Sequence, residues 1–427
     1  MLQPFQKSPS YHATMSGLLR MHQFSLAGQE ESEAADLVRA AMCEPWEGLS
    51  KVEKERCTGL SKDLYAISDG PVQPPEPMNP QTQAKLVEAY EARERGDWDR
   101  ALELLRRWGK HIPLALISYL RGTIWRSAGE PATAAVFFGH ASHLEPENEN
   151  YQVVLLHALK AADPADAATR AEAILRASET KSPAVVVRAA DIVFESTRKL
   201  SDADAAPIIK RLIPILESTL VRMEGREDID GSALAGMVLI LLATSSKDIG
   251  DTRKACGYYS RALQLDPTND ALLIARGILM YGADPSATAD FDQAIRLGSP
   301  LVWPYFYLAH HYLANNRFEE CRVMCERALH KPATARVQSE LCEFLAISST
   351  GLGYPEQVIR RAFENAIRAD LSNERARRNL EKFETALTTR TAHQDWERMS
   401  ESSMRKFGEQ EARSNPVFYE RRQPVPV

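Results

Sequence analysis

Residues 115–147 read ALISYLRGTIWRSAGEPATAAVFFGHASHLEPE. Leu116, Tyr119, Leu120, Gly122 and Trp125 recur at helical steps and give one helix an apolar stripe. Gly129, Glu130 and Pro131 interrupt that periodicity, and Pro131 suits the first turn of a second helix. In the second helix Ala134, Phe138 and Ala141 share a face. The two small residues let the paired helices approach, and Phe138 fills the space between them. Pro146 ends the unit. One such hairpin cannot bury both of its stripes, so neighbours must stack on it.

The same spacing recurs on either side. Gly96, Trp98, Ala101, Leu105 and Pro113 keep it upstream, with Trp108 where a small residue is usual. Gly250, Ala255, Tyr259, Ala262 and Pro267 keep it downstream, followed by a shortened unit through Gly277, Phe291 and Ala294. Leu308, Ala309, Tyr312, Phe318 and Ala328 form a further unit. The pattern A-x3-F-x2-A-x4-P behind a Gly and an aromatic resembles the tetratricopeptide repeat. The resemblance covers residues 82–371, regular at 82–148 and 236–335 and degenerate at 149–230 and 336–371. It implies an all-α fold, a right-handed superhelical stack of helix-turn-helix repeats (an α-solenoid). The spacing leaves open whether 149–230 continues the stack or divides it.

The flanks read differently. Residues 1–14 are polar and Pro-interrupted, an expected disordered start, and 15–70 hold the apolar spacing of a small helical unit. Its PWEGLS and GLSKDLY strings resemble a helical leader found before repeats in uncharacterised bacterial proteins. A Pro-rich linker follows at 71–81. Pro214 is expected to kink its helix, and 224–231 (EGREDIDG) reads as an acidic loop. A capping helix is expected at 372–387, and 388–427 reads as a polar C-terminal tail, with room for a helix to about Gly408 and a mobile end beyond it whose sticky element, Val417, Phe418 and Tyr419, would dock on the array or on a partner.

Composition narrows the function. A net charge of -6 over 427 residues is not that of a dedicated nucleic-acid binder. The Arg-rich stretch 360–378 is interleaved with acids and reads as a solvated helix face. The longest apolar run, Ala233 to Ala243, is far short of the ~20 residues a membrane span needs. No secretory signal is evident, and the six cysteines lack a secreted framework, so a reduced, cytoplasmic setting is expected. No phosphate loop, nucleophile elbow or metalloprotease motif occurs, so neither an enzyme nor a cofactor is expected. Cys321 and Cys325, four apart, are the one pair that could serve a metal or redox role; repeat-core packing is the stronger reading.

In tetratricopeptide proteins the first helix of each hairpin lines a concave groove for peptides or partner helices. Here the resemblance places Leu86, Tyr90 and Arg93 in that groove, then Tyr119, Thr123 and Arg126, then Trp303, Phe306, His310 and Leu313. It implies a non-catalytic adaptor for a protein or peptide ligand. Packing between repeats competes for each aromatic. Leu86, Tyr90 and Leu120 stand where chaperone adaptors carry Lys and Asn for a C-terminal carboxylate, which argues against that ligand. Self-assembly into a homo-oligomer, through the opening unit or the tail, is the alternative.

Overall fold

The computed structural model describes residues 5, 7–68, 75–223, 229–389 and 396–414. Among the described residues the chain is helices and their connections, with no strand. It divides into two compact units, Met1–Ile208 and Ile209–Val427.

The first unit opens with α1 (Pro9–Leu26), α2 (Glu33–Glu47) and α3 (Lys51–Ser68). Ser8 and Ser32 start the first two by accepting hydrogen bonds from the amides of Tyr11 and Ala35. Hairpins follow: α4 (Pro80–Glu94) with α5 (Trp98–Trp108), α6 (Leu114–Ser127) with α7 (Pro131–Leu144), and α8 (Glu149–Ala162) with α9 (Pro164–Arg176). α10 (Pro183–Thr197) packs on both α8 and α9. Within the first unit the stack therefore continues through α8, α9 and α10, where the sequence pattern decays. Its apolar layer survives there as Leu155, Leu156, Val185 and Val186, which are buried without the repeat's Gly and Phe.

The second unit is built the same way. α11 (Asp202–Met223) runs across the division between the units in one helical span, with Pro214 in its interior. The acidic stretch expected at 224–231 lies mostly outside the described residues. Next come α12 (Ile229–Asp248) with α13 (Thr252–Leu265), and α14 (Asp270–Met280) with α15 (Ser286–Arg296). α16 (Trp303–Ala314) pairs with α17 (Phe318–Leu329), and α18 (Ala335–Gly351) with α19 (Glu356–Ala369). α20 (Glu374–Thr389) packs on α19, and α21 (Glu401–Ser414) ends the described chain.

Close approach explains the repeat's glycine. A Cβ built on Gly122 would stand 2.6 Å from the Phe138 ring, and one on Gly277 would stand 2.8 Å from Phe291. Phe138 and Phe291 are fully buried, so neither can swing away. The missing side chain is what lets the two helices of the hairpin pack around an aromatic.

Two flanking expectations are corrected. The start is ordered from Phe5 onward among the described residues, because it has apolar and charged partners on the hairpins. Phe5 is buried edge-on to Trp125 at 5.9 Å and lies under the Arg56 guanidinium at 3.4 Å. Its amide donates to the Ala128 carbonyl at 3.1 Å. Arg56 itself grips Asp99 through two bonds of 2.8 and 2.7 Å. Asp63 of α3 is 1% exposed and meets both Arg106 and Arg121 at 3.0 Å. The Pro-rich segment is likewise anchored where described: the Glu76 amide donates to Lys110, Asn79 caps α4, and Pro80 already begins the helix.

Candidate partner-binding faces

In the second unit the first helices of successive hairpins, α14, α16 and α18, form one face, continued by α20. The expectation of an open groove lined by Trp303, Phe306, His310 and Leu313 does not hold there. All four are 2% exposed or less. Trp303 is buried at the start of α16, with Phe306 and Tyr307 of its own helix against its ring. The others are covered by the chain's own C-terminal stretch, for which the sequence offers a helix to about Gly408 but no place on this face.

That stretch is seated by its backbone before its side chains. Residues 396–400 are non-helical, and the Asn379 amide group pairs with both backbone groups of Glu397, at 3.0 and 3.1 Å. Arg398 donates to the Leu313 carbonyl at 3.0 Å and to the Asn316 side chain at 3.1 Å. His310 Nε2 meets the Met399 carbonyl at 2.7 Å, while its Nδ1 faces the Tyr281 hydroxyl at 2.7 Å. α21 then lays Met404 and Phe407 into the face. Met404 is fully buried, Phe407 stacks 5.6 Å from Phe306, and the Tyr307 hydroxyl donates to the Met404 carbonyl at 3.2 Å. Gly408 lies against that same hydroxyl with no room for a side chain. Glu411 closes the contact with Thr334 and Arg336. Val417, Phe418 and Tyr419 lie outside the described residues.

A buried polar layer holds the face in shape. Arg375 spans Glu340 and Glu343, and Glu343 accepts from Asn379 at 2.8 Å, which orients the amide that clasps Glu397. Burial, with Glu343 beside it, pushes Glu340 up to about 7 even though Arg375 opposes the shift. Burial, helped by Arg375, His311 and Arg398, holds His310 down at about 4 against the pull of the Met399 carbonyl. His310 is thus a neutral bridge between Tyr281 and the C-terminal strap.

The equivalent face of the first unit is formed by α4, α6, α8 and α10. Tyr90 is 57% exposed, with the Arg93 guanidinium 4.8 Å from its ring centre, and Leu86 is half-buried. Tyr119 is half-buried between Phe138 and Tyr151, at 5.9 and 5.3 Å. Arg126 is exposed and leans over Phe138 at 5.8 Å. Thr123 is the exception: it is buried and its hydroxyl is turned to the Leu120 carbonyl at 2.7 Å, so it offers nothing to a partner. Sequence reading missed His157, Lys160 and Arg188 on this face, because α8 and α10 lack the repeat signature that would have fixed their register.

Cys321 and Cys325 are fully buried with their sulfurs 4.0 Å apart, and Cys321 points at the Phe344 carbonyl. Among the described residues no three His, Cys, Asp or Glu side chains converge as metal ligands. Burial raises the Cys325 thiol well above its ordinary range. These are packing residues of the hairpin core. No helix of the described residues is long and apolar enough to cross a membrane.

No protein-family model matches the chain, and no curated protein matches it. Among solved structures it is similar to a tetratricopeptide repeat protein from Parabacteroides merdae, with 14% identity, 68% of this chain and 100% of that one covered, and a TM-score of 0.41. It is also similar to Naa15/Naa10 bound to HypK-THB, with 15% identity, 96% and 65% covered, and a TM-score of 0.32. Yeast Tom70 is similar at 14% identity, 79% and 96% covered, and a TM-score of 0.23. Likeness at these scores says nothing of ligand. The spacing of its own hairpins and the Gly–Phe contacts inside them give the chain an all-helical repeat fold like that of tetratricopeptide proteins.

Proposed function

We propose that the protein is a non-catalytic scaffold that binds a peptide or helix of a partner protein on the faces formed by the first helices of its hairpins. The observation that carries this reading is the strap 396–411. On one such face a peptide segment already sits, non-helical and then helical, held through its backbone carbonyls by His310, Asn379 and Tyr307 and through Met404 and Phe407 by an apolar floor. Backbone recognition with pockets for a few side chains is how grooves take peptides in general. The face in the first unit has the same origin in the repeat and keeps Tyr90, Arg93 and Arg126 accessible. The strap, one of the two segments through which self-assembly would work, has Met404 and Phe407 buried on its own chain, which favours the groove reading.

The test uses a labelled peptide of residues 396–414 and two full-length proteins. Wild type, with its face filled, should not bind the peptide. A Met404→Asp, Phe407→Asp variant, with the strap displaced, should bind it in trans. A variant that is folded by circular dichroism and still refuses the peptide would show that the face is a cis-packing surface and not a peptide site.

A further inference from the structure

On the first unit's face one end carries more positive charge than its own acids neutralise. Arg93 on α4 pairs with Glu94 at 2.6 Å, and Arg188 on α10 and Lys160 on α8 share a single carboxylate, Asp191, at 3.5 and 2.9 Å. Two donors are left over. Arg188 Nε is buried without a hydrogen-bond partner among the described residues. Arg126 forms no ion pair among the described residues, and partial desolvation of its guanidinium, with Arg93 and Arg188 nearby, lowers its pKa against the Tyr119 phenol. His157, between them on α8, is pushed down by burial and then by Arg188, Arg126 and Lys160, so the cations share one field. A chain does not bring four cations together with two carboxylates too few without cost; an arriving anion offsets it.

We infer that the strip Arg93–Arg126–Arg188, with Lys160 beside it, receives the carboxylates of an acidic segment of the partner protein. This rests on the peptide-scaffold reading and deepens it by naming the ligand's chemistry. The strip lies diagonally, from the last turn of α4 and α6 to the first half of α10. Packed helices stand about 10 Å apart, which is about three residues of extended chain at ~3.3 Å each. Acidic side chains repeating at about that interval would meet successive helices. Arginine forks suit carboxylates bidentately. Tyr90 and Tyr119 flank the strip and supply a contact for an apolar residue between the acids. Glu94 and Asp191, set among the cations, repel a continuous phosphate backbone, and this favours spaced carboxylates over nucleic acid.

The experiment is selection from a random peptide display library on the full-length protein, run beside a folded Arg126→Glu, Arg188→Glu variant, with the selected peptides measured by fluorescence anisotropy. Expected are sequences with recurrent Asp or Glu. Their affinity should fall at least about ten-fold in the charge-reversed protein and weaken with added salt. Apolar or basic winners, or acidic winners that the variant binds equally, overturn the strip while leaving the scaffold reading intact. A library that yields no binder to either protein overturns both. A uridine homopolymer that binds wild type more tightly than any selected peptide, and loses affinity in the variant, would assign the strip to RNA and overturn the inference.

Discussion

His310 Nε2 lies 2.7 Å from the carbonyl oxygen of Met399, so a side chain of α16 holds the backbone of a segment 89 residues further along the chain. With Nδ1 committed to Tyr281, the imidazole is neutral and both of its nitrogens are in use. Its pKa of about 4 lies below the ordinary 6.5. The folded state therefore binds fewer protons than the unfolded state between those values. Stability contributed by this group is complete above about pH 6.5 and is lost as pH falls towards 4, by about 3 kcal/mol at most. Half-buried His140, also held at about 4, moves in the same direction. The check is therefore a comparison: denaturant midpoints of wild type and His310→Gln from pH 7.5 to 4.5, with the wild type losing more over the window. Parallel curves would mean that His310 titrates normally.

Gly408 faces the Tyr307 hydroxyl with no space for a Cβ. Gly408→Val should lift α21 and sever the Tyr307–Met404 bond while leaving α16 and α17 in place. Overpacking of this kind costs about 1–3 kcal/mol, enough to cut exchange protection in the strap about ten-fold or more. Hydrogen exchange read by mass spectrometry should show faster labelling at 396–411 with little change at 303–314. Uniform loss of protection across the second unit would mean that the strap and array fold as one.

Gly122 and Gly257 form a matched pair. Alanine gains helix propensity at either position, by up to about 1 kcal/mol. At Gly257 nothing lies within 4 Å, so Gly257→Ala should raise the melting temperature slightly. At Gly122 the Cβ meets the buried Phe138 ring at 2.6 Å, so overpacking of about 1–3 kcal/mol wins and Gly122→Ala should lower it. Adding Phe138→Leu should give back part of that loss if the ring is the cause.

Asp63 neutralises two arginines at once. Asp63→Asn leaves Arg106 and buried Arg121 facing each other, and should cost about 3–5 kcal/mol, far more than an exposed pair would. In a double-mutant cycle, adding Arg121→Met should recover part of the loss. An additive result would show that the three charges do not act together.

The thiols should separate by burial. Cys43 is exposed, whereas burial pushes Cys57 up to about 12 and Cys325 well above its ordinary value. Brief alkylation of the native protein should modify Cys43 and spare Cys57, Cys321 and Cys325. Rapid labelling of Cys321 would reopen a redox role for that pair.

The hairpin was legible in the sequence because its determinants are local. Gly122, Phe138 and Ala141 sit within one repeat, and their spacing alone dictates which faces of two adjacent helices can meet. The accessibility of Tyr90, Arg93 and Arg126 follows for the same reason, since the register of a regular repeat assigns each residue a face. Thr123 shared that register but turned its hydroxyl to its own helix, a choice that spacing does not carry. Arg188 and Lys160 were hidden because the register itself is lost after residue 149, although burial of the apolar layer keeps the helices stacked.

What only the tertiary structure decided is which exposed face meets which distant segment. The sequence shows Phe306 and His310 on a first helix and shows Met399, Met404 and Phe407 in a stretch otherwise charged. It does not show that the second set covers the first. Asp63 reads as one more surface acid until Arg106 and Arg121 close over it. Helix pairing follows from neighbours in the chain, whereas burial of a groove depends on contacts across tens of residues. Those contacts are fixed by shape, by backbone hydrogen bonds and by the desolvation of particular charges, none of which leaves a period in the sequence.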